Sequence, residues 1–94
     1  MSELPASRQD QGTAIQRRLA DGLEKIDPHH RLLGRPVAYR IIDGATLEII
    51  YRDVPGIAEA EVLGVKRLIG VECFCTVSPQ TRETITVRFV VSLK

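Results

Sequence analysis

The amino-acid sequence predicts a small α+β domain in the order helix, hairpin, helix, hairpin (αββαββ), with a four-stranded antiparallel sheet and both helices on one face. Three observations carry this. Ile69, Val71, Cys73, Cys75 and Val77 alternate with Gly70, Glu72, Phe74, Thr76 and Ser78, and Ile85, Val87, Phe89, Val91 and Leu93 resume the alternation after a polar break. That is the two-residue period of paired strands. Asp43-Gly44, the strongest short hairpin signal, separates two further apolar runs at residues 37–42 and 45–52. Ile15, Leu19, Leu23 and Ile26 recur at intervals of four, four and three, which aligns them on one helical stripe. With 94 residues, 44% of them hydrophobic and 27% charged, there is enough apolar surface for one ordinary core and one domain.

Taken in order, residues 1–11 are polar, contain Pro5 and read as a flexible N-terminal tail, leaving residues 12–94 as the folded domain. Ser7 with Asp10 offers an early helix start. Thr13 with Gln16 is the better capping box, because the apolar stripe begins just after it. Pro28 ends the helix by disfavouring helical dihedrals at Asp27. Between residues 28 and 42 there is no acid, and His29, His30, Arg31, Arg35 and Arg40 make the most basic segment of the chain, a candidate nucleic-acid contact. Leu32 and Leu33 in the same segment are expected to tuck against the core edge.

A two-residue turn at Asp43-Gly44 pairs Ile42 with Ala45, Arg40 with Leu47 and Ala38 with Ile49 on one face. The other face then pairs Ile41 with Thr46, Tyr39 with Glu48 and Val37 with Ile50. Neither face is purely polar, which favours a second subunit against the sheet. After the Pro55-Gly56 turn, residues 57–68 read as a second helix: Ala58, Val62, Val65 and Ile69 share a stripe. Glu59 and Glu61 near its start and Lys66 and Arg67 near its end suit the helix dipole. Gly64 sits mid-element and keeps an alternative in view, with residues 57–65 as a strand and one helix packed on a five-stranded curved antiparallel sheet.

For the last hairpin to bring its two apolar faces together the loop must hold an odd number of residues, and 79–83 satisfies this. Val77 then faces Ile85, Cys75 faces Val87, Cys73 faces Phe89 and Val71 faces Val91. On the reverse face Phe74 meets Arg88 and Glu72 meets Val90. Those four, Glu72, Phe74, Arg88 and Val90, are the candidate partner-binding residues. Cys73 and Cys75, two apart on a strand, have Cβ atoms ~6.7 Å apart against the roughly 3.8 Å of a disulfide, so they are expected to stay reduced on the core face. No metal site is expected, since His29 and His30 have no ligand-like spacing to the cysteines.

No nucleophile elbow, phosphate loop or zinc-protease motif is present, and Glu48 beside Tyr39 is the one pair worth testing for a perturbed carboxyl. No catalytic residue and no cofactor are therefore assigned. The net charge of +1 selects no polyanion partner by itself. The absence of an apolar run long enough to span a membrane, or of a signal-peptide core, leads to a cytoplasmic expectation with no membrane contact. The expected role is a non-enzymatic protein-interaction or assembly module, a homo-oligomer or a binder of another protein, that associates through a sheet face or edge. A small nucleic-acid-binding module using the 29–40 segment and a small-ligand-binding domain are the alternatives.

Overall fold

Helix α1 (Arg8–Ile26) opens on Ser7, whose hydroxyl accepts a hydrogen bond from the Asp10 amide at 3.1 Å. The computed structural model describes residues 7–93. The helix thus starts well before the Thr13 cap expected from the stripe, because a serine with an acid three residues on is itself a sufficient cap. Residues 8–11 are helical, and the remainder of the expected tail, residues 1–6, lies outside the described residues. Thr13 instead donates its hydroxyl to the Gln9 carbonyl one turn back. Ile15, Leu19 and Leu23 are buried as the stripe requires, and α1 ends where Pro28 forces Asp27 into an extended conformation.

The order αββαββ holds: α1 is followed by β1 (Val37–Ile42), β2 (Thr46–Val54), α2 (Glu59–Ile69), β3 (Cys73–Pro79) and β4 (Ile85–Ser92). All pairings are antiparallel and the strands lie in the order β1-β2-β4-β3. The second strand of each hairpin meets the other at the centre. Residues 59–69 form a helix and not a fifth strand. Gly64 does not break it, and the packing there does not require glycine: a Cβ built at this position stands 3.5 Å from Ile26 Cγ2 of α1, an ordinary contact. Gly64→Ala should therefore raise stability by about 0.5–1 kcal/mol through helix propensity, seen as a higher midpoint in urea.

Both hairpins differ from their expected registers. The Asp43-Gly44 turn is present, with φ of 53° and 68° and a bond from the Ala45 amide to the Ile42 carbonyl. Ala45, however, stands outside the ladder, giving its carbonyl to the Leu93 amide at 2.8 Å, so Ile42 pairs with Thr46 and the register moves by one. Arg40 then faces Glu48 and Tyr39 faces Ile49, replacing the expected Arg40–Leu47 and Tyr39–Glu48 pairs. In the second hairpin Pro79 joins the strand and the loop becomes residues 80–84. A hydroxyl contact of 2.6 Å between Thr81 and Thr84, and bonds from the Gln80 and Thr81 amides to the Thr84 carbonyl, close it. The register moves by two: Val77 pairs with Val87, Cys75 with Phe89, and Phe74 with Val90 in place of Arg88. Ile69 and Val71 do not belong to β3. Ile69 is buried at the end of α2, which Gly70 closes at φ 77°.

One face of the sheet presents Leu47, Ile49, Tyr51, Val87, Phe89 and Val91 to both helices, and these residues form a single core with Ile15, Leu19, Leu23, Val65 and Ile69. Leu32 is buried with them and Leu33 packs against their edge, as expected. Cys73 and Cys75 lie half-buried on this covered face. No helix among the described residues is long and apolar enough to cross a membrane.

Candidate interaction surface

Among the described residues the opposite face of the sheet carries no helix, and its layout follows from the registers. One row across the four strands reads Arg40, Glu48, Val90, Phe74, and the next reads Ala38, Ile50, Arg88, Thr76. Glu48 is only 6% exposed although no helix among the described residues lies over it. Two arginines cover it instead. Arg40 reaches Glu48 Oε1 with Nη2 at 2.5 Å and Nε at 3.0 Å, while Arg88 Nε stands 3.7 Å from Oε2. The guanidinium stems account for the burial of Glu48 and neighbouring Ile50 on an otherwise open face.

Of the four residues expected to contact a partner, Phe74, Arg88 and Val90 are brought together here. Phe74 is opposite Val90 and diagonal to Arg88, and at 64% it is the most exposed large apolar side chain described. Glu72 precedes β3 and lies beyond Phe74, at the corner away from Arg40 and Arg88. Arg40 and Glu48 complete the surface; the sequence placed Arg40 in the basic segment and Glu48 beside Tyr39, and missed their pairing because a register wrong by one set Arg40 against Leu47. The signal was present, since opposite charges favour the register that pairs them directly.

The edges of the sheet are β1 and β3. β1 carries Arg40. β3, Cys-Phe-Cys-Thr-Val-Ser-Pro, carries no charged residue, and Phe74, Thr76, Val77 and Ser78 along it are exposed. Val77, at 51%, lies on the helix side but outside the helices' cover. Burial pushes the Cys73 and Cys75 thiols up and favours the neutral thiol, and the nearby Lys66 ammonium offsets this only in part.

The basic segment 29–40 does not form one surface. His30 is buried: Nδ1 accepts from the Leu32 amide, which leaves Nε2–H to donate to the Glu61 carbonyl at 3.2 Å. Arg31 gives its amide and its Nε to the Glu61 carboxylate, both at 2.8 Å. Arg35 donates to the Asp53 and Arg31 carbonyls, whereas Arg40 belongs to the uncovered sheet face. His29 is exposed and bonds through its amide to Asp27 Oδ1. Three of these five residues thus tie the loop to α2 and β2.

Tyr39 and Glu48, the pair singled out for a perturbed carboxyl, lie on opposite faces. Tyr39 instead shares a hydrogen bond with Tyr51, and burial pushes both phenols up. A cavity of about 170 Å³ opens between α1, the 32–35 segment and these two tyrosines. It is smaller than the several hundred Å³ customary for an enclosed organic ligand. Among the described residues, no three His, Cys, Asp or Glu side chains stand together as a metal site would require. Comparison with protein-family models, curated proteins and solved structures finds no match for the chain.

Proposed function

We propose that the protein is an assembly module in which β3 of one copy pairs antiparallel with β3 of a second, joining two four-stranded sheets into one of eight. The observation that carries this reading is the composition of the edge. Natural edge strands are guarded by charges, bulges or a covering element, because an open row of amides and carbonyls templates another strand. β3 has seven residues, no charge, no bulge against β4, and proline only at its last position. A strand pairing with its own copy about a two-fold axis is self-complementary, and an uncharged one meets no repulsion there.

The open face is a poorer place for self-stacking. Two copies laid face to face would have to desolvate Arg40 and Arg88, whose side chains are 63% and 44% exposed, with each Glu48 already engaged. Edge pairing avoids this.

Analytical ultracentrifugation tests the reading. The wild type should sediment at twice the 10.5 kDa chain mass, and Val77→Lys should sediment as a monomer with unchanged circular dichroism. Pairing centred on Thr76 sets the two introduced lysines diagonal to one another on the same face, and Val77 is exposed enough to be replaced without disturbing the core. A monomeric wild type, or a Val77→Lys variant that remains a dimer, overturns it.

A further inference from the structure

We infer that the uncovered sheet face binds single-stranded nucleic acid, with a base stacked on Phe74 and phosphates held by Arg88 and Arg40. All three residues belong to one copy of the chain, so the site is independent of pairing at β3.

Charge, shape and pre-organisation each point to this occupant. By strand alternation Arg52 joins Arg40 and Arg88 on this face, and Glu48 is the single carboxylate among them; Glu72 lies off at the far corner. The centre of the face therefore holds an excess of positive charge in a protein whose net charge is only +1. Glu48 fixes the two guanidiniums side by side, yet their side chains remain 63% and 44% exposed, leaving donors free on the solvent side. A guanidinium presents five N–H groups in a rigid fork suited to phosphate, and one already fixed in place loses less freedom on binding. Phe74 lies at the outer end of the same row, three strand spacings or roughly 14 Å from Arg40. Its exposed ring has nothing above it among the described residues. An open aromatic at the outer end of the row, with both arginines inward of it, suits a base at one end of a track whose phosphates run across the strands toward Arg88 and Arg40, and stacking accepts any base because every base has a π-face. Thr76, Thr86, Ser78 and Ser92 surround the track with short hydroxyls that leave the approach clear.

This surface differs from the 29–40 segment, of whose basic residues it uses Arg40 alone. His30, Arg31 and Arg35 are occupied in holding the loop, and His29 stands apart on it.

Fluorescence anisotropy with a labelled oligothymidylate of about 12 nucleotides tests the assignment. Binding at low salt should weaken with a log–log slope of about −1.4 to −2, the value for two to three phosphates of a single strand. Phe74→Ala should weaken binding about tenfold with little change in that slope. Arg88→Ala should make the slope shallower by about 0.7. Both side chains are exposed enough that folding, checked by circular dichroism, should persist. No binding at low salt overturns the assignment. So does full affinity in Phe74→Ala, or equal affinity for duplex DNA or polyglutamate, since each would mean nonspecific attraction to polyanions without stacking.

Discussion

Glu61→Ala should lower stability by about 2–4 kcal/mol, although the residue is a partly solvated carboxylate and not one of the core hydrophobics. Its carboxylate accepts three hydrogen bonds, each of 2.8 Å: from the Ala58 amide at the start of α2, from the Arg31 amide and from Arg31 Nε. Ala58 has no side-chain acceptor, so Glu61 supplies the helix's only side-chain cap from inside. Its side chain is only 11% exposed, and truncation leaves two backbone amides and a guanidinium short of their partner. The loop 27–36 would then be held to α2 mainly by His30. For a domain of this size the loss corresponds to a fall in Tm of about 10–25 °C.

The pH dependence of the same variant has a definite sign. Burial pushes the Glu61 carboxyl up, but the bonds from the Arg31 and Ala58 amides and the Arg31 guanidinium outweigh it and hold the group below its ordinary value. A carboxyl depressed in the folded state contributes stability that is fully present above its unfolded value of 4.5 and is lost as pH falls through its folded value. Urea melts of wild type and Glu61→Ala should therefore differ by a constant amount near neutrality, and the gap should narrow as pH falls below 4.5. A gap that stays constant into acid would show that the carboxylate is not what holds the junction. Glu61→Gln should fall between the two, because the amide oxygen still accepts but carries no charge.

The elements of this fold were legible in the sequence because each has its own period: four-four-three spacing in α1, alternation in β4, and acids before bases along α2. Register was not, because it depends on contacts between residues remote in sequence. Ala45 leaves the first ladder in order to bond Leu93, nearly fifty positions on, and no local rule at Asp43-Gly44 announces that. The second loop is set by the Thr81–Thr84 clasp, for which residues 79–83 and 80–84 look equally good. Ile69 fits the end of a helical stripe and the start of an alternating run equally well, and its complete burial between α2 and the core decides for the helix. These shifts matter for the candidate site more than for the fold. A slip of one residue hid the Arg40–Glu48 pair, and a slip of two placed Phe74 against Arg88 when it is diagonal to it.

The largest effect is expected at Phe89, on the central strand β4 between Ile49 of β2 and Cys75 of β3. Its ring is fully buried and meets Tyr51 edge-on, with centroids 6.4 Å apart and planes at 89°. Phe89→Ala removes that ring from beneath both helices and should cost about 3–5 kcal/mol, the usual range for a buried phenylalanine. A domain of this size holds only about 5–15 kcal/mol in total, so this variant should lie at the limit of folding. Phe89→Leu keeps most of the buried volume and should leave a cooperative transition that can be measured. A double-mutant cycle of Phe89→Leu with Tyr51→Leu should then show a coupling of about 0.5–1.5 kcal/mol, the value of an edge-to-face pair beyond its area. Additive single-mutant effects would mean that Phe89 acts through volume alone. A separate variant distinguishes core from surface: Phe74, the other phenylalanine, lies on the opposite face, and Phe74→Ala should leave the transition within about 0.5 kcal/mol of wild type. If Phe74→Ala were instead strongly destabilising, its ring would be covered in solution, and the open face would have to be read as buried against a second chain.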